Sequence, residues 1–148
     1  VDRWLPVLAT VCAGGLVAMQ APINSTLGKT AGTFAAASIS FAVGLAVLVC
    51  ITLLFAGGFG EVAGAADLRW YYLTGGLLGA AYVTTVLVSV RTLGVGGVTA
   101  ATIAGQLTMA VIIDKAGLLG VEQRALTPQR MAGIALLAVG VFLVIRGD

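Results

Sequence analysis

The sequence holds no histidine, only two cysteines, and charged residues at just 9% of its 148 positions. Each shortage removes a class of function. Without imidazole, and with Cys12 and Cys50 as the sole thiols, no ligand set exists for a zinc or other soft-metal centre. No metal and no cofactor is therefore expected. The two cysteines read as small buried apolar residues of the first two apolar runs, at similar depth, and indicate no redox compartment. Eight Lys and Arg against six Asp and Glu give a net charge of +2 with no basic cluster, which excludes a nucleic-acid surface. General acid–base catalysis needs a group that titrates near working pH, and a hydroxyl without a base beside it is a poor nucleophile. No histidine, lysine or carboxylate falls near the middle of an apolar run, so no catalytic residue is assigned and an enzyme is not expected.

What is present is hydrophobic length. Residues of apolar type make up 59% of the chain and mean hydropathy is +1.09. A soluble domain carries about 25% charged residues. Trp4–Gly28, Thr30–Gly60, Trp70–Val90 and Thr92–Ile113 are charge-free runs of 21 residues or more, and Met131–Ile145 adds 15 residues between two arginines. About 20 apolar residues of helix cross the hydrocarbon core. Backbone polar groups must be satisfied internally in lipid, so such runs are helices, and barrel-type alternation is absent. The expectation is an all-α polytopic membrane protein, one domain over residues 1–148, with five spans at about 5–27, 33–56, 70–90, 97–117 and 128–145. The first run is too long for a signal-peptide core and is expected to stay as a helix. Thr127 followed by Pro128 supplies a hydroxyl cap and a proline start for the fifth span. That span is short, and Arg130 and Arg146 can snorkel to opposite interfaces.

Five spans put the termini on opposite sides. The N-terminal side then receives Arg3, Arg69, Lys115, Arg124 and Arg130, and the other side Lys29, Arg91 and Arg146. Under the positive-inside rule this favours a cytoplasmic N-terminus only slightly. Trp4, Trp70, Tyr71 and Tyr72 form an aromatic belt on the N-terminal side. The small bias fits a chain that inserts in both orientations, and equally an oriented protein with few charges. Gly75 and Gly79 make a GxxxG pair, and Gly97, Ala101 and Gly105 line a second small-residue stripe, either of which lets helices approach closely.

Polar groups inside the spans are few. Gln20 and Asn24 lie four residues apart on one face, with Pro22 between them. Pro22 lacks an N–H and crowds the Ala18 carbonyl, so a helix break is expected there. Interrupted helices with polar groups point to transporter binding sites, while a kink whose amides glue neighbouring helices is the plainer account. Counted from the side opposite the N-terminus, Gln20, Ser40, Tyr82 and Gln106 fall in one layer about 10–14 Å deep at 1.5 Å per residue. Thr99 and Thr102 lie near Gln106, Ser38 near Ser40, and Thr85 near Tyr82. Asp114, with Lys115 next to it, is the one carboxylate inside a span. It reads as an interfacial charge paired with an arginine such as Arg69 or Arg124, or as a gate or coupling ion pair.

The segments Gly15–Leu27 (GLVAMQAPINSTL), Ser40–Gly44 (SFAVG), Trp70–Tyr82 (WYYLTGGLLGAAY), Gly105–Gly120 (GQLTMAVIIDKAGLLG) and Leu126–Val144 (LTPQRMAGIALLAVGVFLV) resemble the bacterial YdcZ-like family of the drug/metabolite transporter superfamily. Lys115 stands where family members often carry histidine. The resemblance implies a multi-pass protein of the bacterial inner membrane, equivalent to half of a ten-helix transporter with inverted repeats. It implies a homodimer of dual topology, or pairing with an oppositely oriented related chain, and substrate held between the two units. The related four-helix multidrug transporters use a span-one glutamate for proton coupling; span one here offers Gln20 and Asn24 instead, which suits a neutral or anionic solute. The expected partners are a small-molecule substrate and the bilayer, with Gln20, Asn24, Ser40, Tyr82 and Gln106 as substrate-side groups moving solute by alternating access. The second reading is an accessory subunit that docks another membrane protein through its polar helix faces.

Overall fold

The computed structural model describes residues 4–146, so Arg3, counted above among the cations of the N-terminal side, lies outside the described residues. Among the described residues the chain is helical, with no β-strand. Four α-helices follow in order: α1 (Trp4–Ala31), α2 (Thr33–Phe55), α3 (Gly75–Ala116) and α4 (Pro128–Arg146). Short 3-10 turns at Gly60–Asp67, Trp70–Thr74 and Leu118–Gly120 lie in the connections. Four helical stretches are long and apolar enough to cross a membrane, the third counted from Trp70 to Ala116 over 47 residues. Large apolar side chains such as Trp4, Leu54, Phe55 and Leu136 are exposed along these helices. A bilayer accepts that surface because its tails are as apolar as the side chains.

The connections are tighter than the sequence suggests. The loop expected over residues 28–32 contracts to Gly32 alone. Gly32 takes φ 89° and ψ 153°, its N–H donates to the Gly28 carbonyl at 3.1 Å, and its own carbonyl accepts the Ala36 N–H at 3.0 Å. Positive φ of this kind suits glycine because no Cβ meets the backbone. Lys29 thereby becomes part of the last turn of α1, where a cation complements the helix dipole.

The loop expected over residues 91–96 also shrinks to one residue. Helix α3 continues from Gly75 to Ala116 with a single non-helical position, Gly94, at φ 67° and ψ 175°. The expected third and fourth spans are therefore the 75–93 and 95–116 parts of one helical stretch. The break expected at Pro22 does not form: α1 runs through it without leaving the helix. Proline removes one N–H and its fixed φ near −65° is itself helical, so the neighbouring hydrogen bonds carry the helix past the missing one.

The chain divides into two compact units, Val1–Thr92 and Leu93–Asp148. In the first, Ala36 and Ala37 of α2 pack with Val83 and Leu87 of the 75–93 part, and Leu27 and Tyr82 close the cluster. Leu87 is fully buried. The approach of α1 depends on Gly28, where a Cβ would lie 2.7 Å from Leu87 Cδ2 and 2.9 Å from an Arg91 guanidinium nitrogen. In the second unit the end of the 95–116 part is tied to the following segment. The Asp114 carbonyl accepts the Arg124 N–H at 2.8 Å, and Gln123 Nε2 donates to the Lys115 carbonyl at 2.7 Å. These bonds satisfy carbonyls that a helix end leaves free. Thr127 caps α4, its hydroxyl oxygen accepting the Arg130 N–H at 3.3 Å, with Pro128 as the first helical residue.

Candidate functional site

Gln20 lines two clefts of the first unit. Between α1 and α2 it joins Ser40, Phe41, Gly44, Leu45 and Leu48 around a cavity of about 310 Å³. That volume lies at the lower end of the range for small-molecule pockets, about 300–1,000 Å³. Between α1 and the 75–93 part it joins Asn24, Tyr82, Val83 and Leu87 around a gap of only about 10 Å³. The structure thus brings Gln20 together with Ser40 on one side, and with Asn24 and Tyr82 on the other. Gly44 has open space around its Cα, so the wider cleft is not narrowed by a side chain there.

Several helical hydroxyls are already spent. Thr10, Ser38, Thr52, Thr85 and Thr108 each donate to the carbonyl four residues earlier, at 2.8–2.9 Å. This removes Ser38 and Thr85 from the group available to a ligand. Among the described residues the side chains of Gln20, Asn24, Ser40 and Tyr82 make no such bond. Asn24 is buried, at 5% exposure, yet no buried side-chain polar atom lacks a partner among the described residues. Its amide tip must therefore reach the free space of the cleft. An amide left unpaired in a dry interior costs about 1–3 kcal/mol.

The cleft's electrostatics are one-signed. The stretches Trp4–Ala31, Thr33–Phe55 and 75–92 contain no Asp or Glu, and their cations are Lys29 and Arg91. Gln106 belongs to the second unit, on the 95–116 part, where it is exposed. Asp114 pairs with Arg130, in the first turn of α4, instead of with Arg69 or Arg124. Arg124 engages Asp114 through its backbone N–H, and Lys115 stays exposed while its carbonyl accepts from Gln123. The reason is local: the residue 118–127 segment folds back on the end of α3, which delivers the start of α4 to the carboxylate.

The glycine pairs divide by role. A Cβ on Gly79 would rest 3.5 Å from the Phe41 ring of α2, so this glycine serves helix packing, whereas Gly75 has nothing within 4 Å. Of the second stripe, Gly97 is buried, Ala101 is exposed and Gly105 meets nothing within 4 Å. Sequence reasoning missed Gly28, Arg91 and Arg130. The missing acids of the first three runs were the available signal for Arg91, since a cation without a carboxylate nearby invites the question of what it binds.

The model of the family described as "putative inner membrane exporter, YdcZ" matches residues 5–143. The chain belongs to this family. It is a multi-pass inner membrane protein, as the resemblance of its Gln20–Asn24 and Gly105–Gly120 segments implied. No curated protein and no solved structure matches it. The YdcZ description names export but no solute, so the residues of the cleft are the guide to chemistry.

Proposed function

We propose that this inner membrane protein transports a small solute, with Gln20 at the centre of the binding site and Asn24, Ser40 and Tyr82 around it. Gln106, expected from the sequence as a substrate-side amide, lies in the second unit and is not assigned to this cleft. The observation that carries the reading is the set of uncommitted polar groups on adjoining faces of α1, α2 and the 75–93 part. Groups kept only to glue helices would be bonded to one another, because an unsatisfied polar group in hydrocarbon costs several kcal/mol (roughly). These are left for a ligand and water. With no carboxylate, histidine or lysine among them, the site recognises its solute by hydrogen bonds.

The working unit is a dimer of antiparallel copies, five crossings each, that exposes the site alternately to the two sides. Gly94 supports five crossings: the 75–93 and 95–116 parts are about 28 and 33 Å long at 1.5 Å per residue, each a membrane thickness. The open flank at Ala101 and Gly105 offers a close-packing surface for the second copy. Asp114 and Lys115 are the candidate gate or coupling pair, and Arg130 is the partner that Asp114 releases when the gate moves.

Ser40→Cys in a background without Cys12 and Cys50 tests the reading. A hydrophilic thiol reagent should label it from both sides of sealed vesicles. Labelling from neither side would leave the polar groups as docking contacts for another membrane protein and would sink the transport reading.

A further inference from the structure

We propose that Arg91 is an anion-binding group one helical turn beyond the narrow gap at Gln20, Asn24 and Leu87, so that the group held there is an oxyanion, carboxylate or phosphate. The substrate class rests on the transport reading; the anion site does not.

Three observations lead to it. The first is position. Asn24 and Leu87 line the same narrow gap, and Gly28 and Arg91 follow them by one turn on their respective helices, about 5–6 Å further along. The Arg91 guanidinium lies over Gly28, 2.9 Å from where a Cβ would stand, so the absence of a side chain at Gly28 gives it its place. The second is lack of compensation. Among the described residues Arg91 has no ion pair and no side-chain hydrogen bond, the salt bridge being Arg130 with Asp114. The stretches Trp4–Ala31, Thr33–Phe55 and 75–92 offer it no carboxylate, and Lys29, next to Gly28, adds a second positive charge. The third is its tether. The carbonyl end of α1 attracts a cation, while the Gly28 carbonyl already takes the Gly32 N–H. Arg91 is therefore held near α1 with its planar fork of five donors unspent. Such a fork matches the two oxygens of a carboxylate or phosphate.

A solute with an anionic head at Arg91 would extend past the gap at Asn24 and Tyr82, whose roughly 10 Å³ holds about one water, toward the wider cleft beside Gln20. Any apolar part would reach the wall formed by Phe41, Leu45 and Leu48. The same chemistry could be met by a lipid head-group phosphate, and the two sources are separable.

The test uses the purified chain in phosphatidylcholine nanodiscs, with benzoate and its neutral isostere benzamide titrated by calorimetry. Thermal stability is then compared with and without phosphatidylglycerol in the disc. Benzoate should bind more tightly than benzamide. Arg91→Gln should weaken benzoate about tenfold or more, the worth of one lost charge-assisted pair, and leave benzamide unchanged. Arg91→Lys should keep part of the preference, and Arg124→Gln, a cation outside the cleft, should keep all of it. If benzoate shows no preference but phosphatidylglycerol stabilises the wild type and not Arg91→Gln, the anion site stands and its occupant is lipid. If both Arg91 variants match the wild type in benzoate binding and in lipid response, the proposal is overturned. Gln20→Ala separates the two readings: loss of benzoate and benzamide together supports the cleft, whereas benzoate binding that survives it but not Arg91→Gln leaves the anion site and removes the cleft.

Discussion

Replacing Gly94 by alanine should destabilise the protein, and the same change two residues later, at Gly96, should not. Gly94 sits at φ 67° and ψ 175°, a region open in practice to glycine alone, where a Cβ costs about 1–3 kcal/mol. Space does not confuse the comparison, because a Cβ at either glycine would meet nothing within 4 Å. Gly96 is helical, and alanine in place of a helical glycine gains about 0.5–1 kcal/mol. The two variants should therefore differ by about 1.5–4 kcal/mol, or roughly tenfold to several hundredfold in the unfolding equilibrium. Reversible unfolding in mixed micelles, followed by circular dichroism, reads that gap. Equal stability of the two variants would refute the strained break and leave α3 as one continuous helix. Its 42 residues would then extend about 63 Å at 1.5 Å per residue, about twice the hydrocarbon core. Two crossings in this stretch require the break, so the comparison also bears on the five-span topology.

The remaining predictions concern packing, the ion pair and orientation. Gly28→Ala should cost about 1–3 kcal/mol in the same unfolding assay, because its Cβ would overlap the fully buried Leu87 side chain at 2.7 Å; a neutral result would mean that α1 and the 75–93 part pack less closely. Asp114→Asn and Arg130→Gln should show a coupling of about 1 kcal/mol in a double-mutant cycle, consistent with a pair that is only partly exposed, and strictly additive effects would remove the interaction. A single cysteine at Asp148, in a chain without Cys12 and Cys50, should be labelled by an impermeant thiol reagent in about half of the molecules before permeabilisation if copies insert both ways. Labelling of all or none would require an oppositely inserted partner chain for the dimer.

The spans were legible because hydrocarbon imposes a single rule, a long apolar run with its backbone bonded internally. The ends were not. Residues 91–96 read as a loop from Arg91 and a cluster of glycines, yet a helix tolerates glycine when lipid offers the backbone no other partner, and only Gly94 leaves it. Pro22 read as a break for the complementary reason: one missing N–H is too small a loss to open a helix that retains its other bonds. That Gln20 meets Ser40 in one cleft and Tyr82 in another agrees with a count by helical rise. Their availability does not follow from that count, since a hydroxyl can turn back to its own helix, as Ser38 and Thr85 do, and sequence does not state which will. Asp114 had several arginines within reach by depth; the fold-back at Gln123 and Arg124 selected Arg130.

The choice of cleft turns on solvent as much as on shape. In the second unit a groove of about 560 Å³ runs between the 95–116 part and α4, lined by residues such as Gly96, Ile103, Leu137, Gly140 and Val144. It exceeds the cleft at Gln20 and Ser40 in volume. In water an apolar groove of that size would be the first candidate for a ligand. Against a bilayer the ranking reverses. Acyl chains fill an apolar groove at no loss of solvation, so its existence asks for no ligand. A smaller cleft with a free amide and a free hydroxyl is different, because lipid tails satisfy neither group. Volume identifies where something fits, and in a membrane the polar groups left unbonded within the chain identify where acyl chains alone are a poor match.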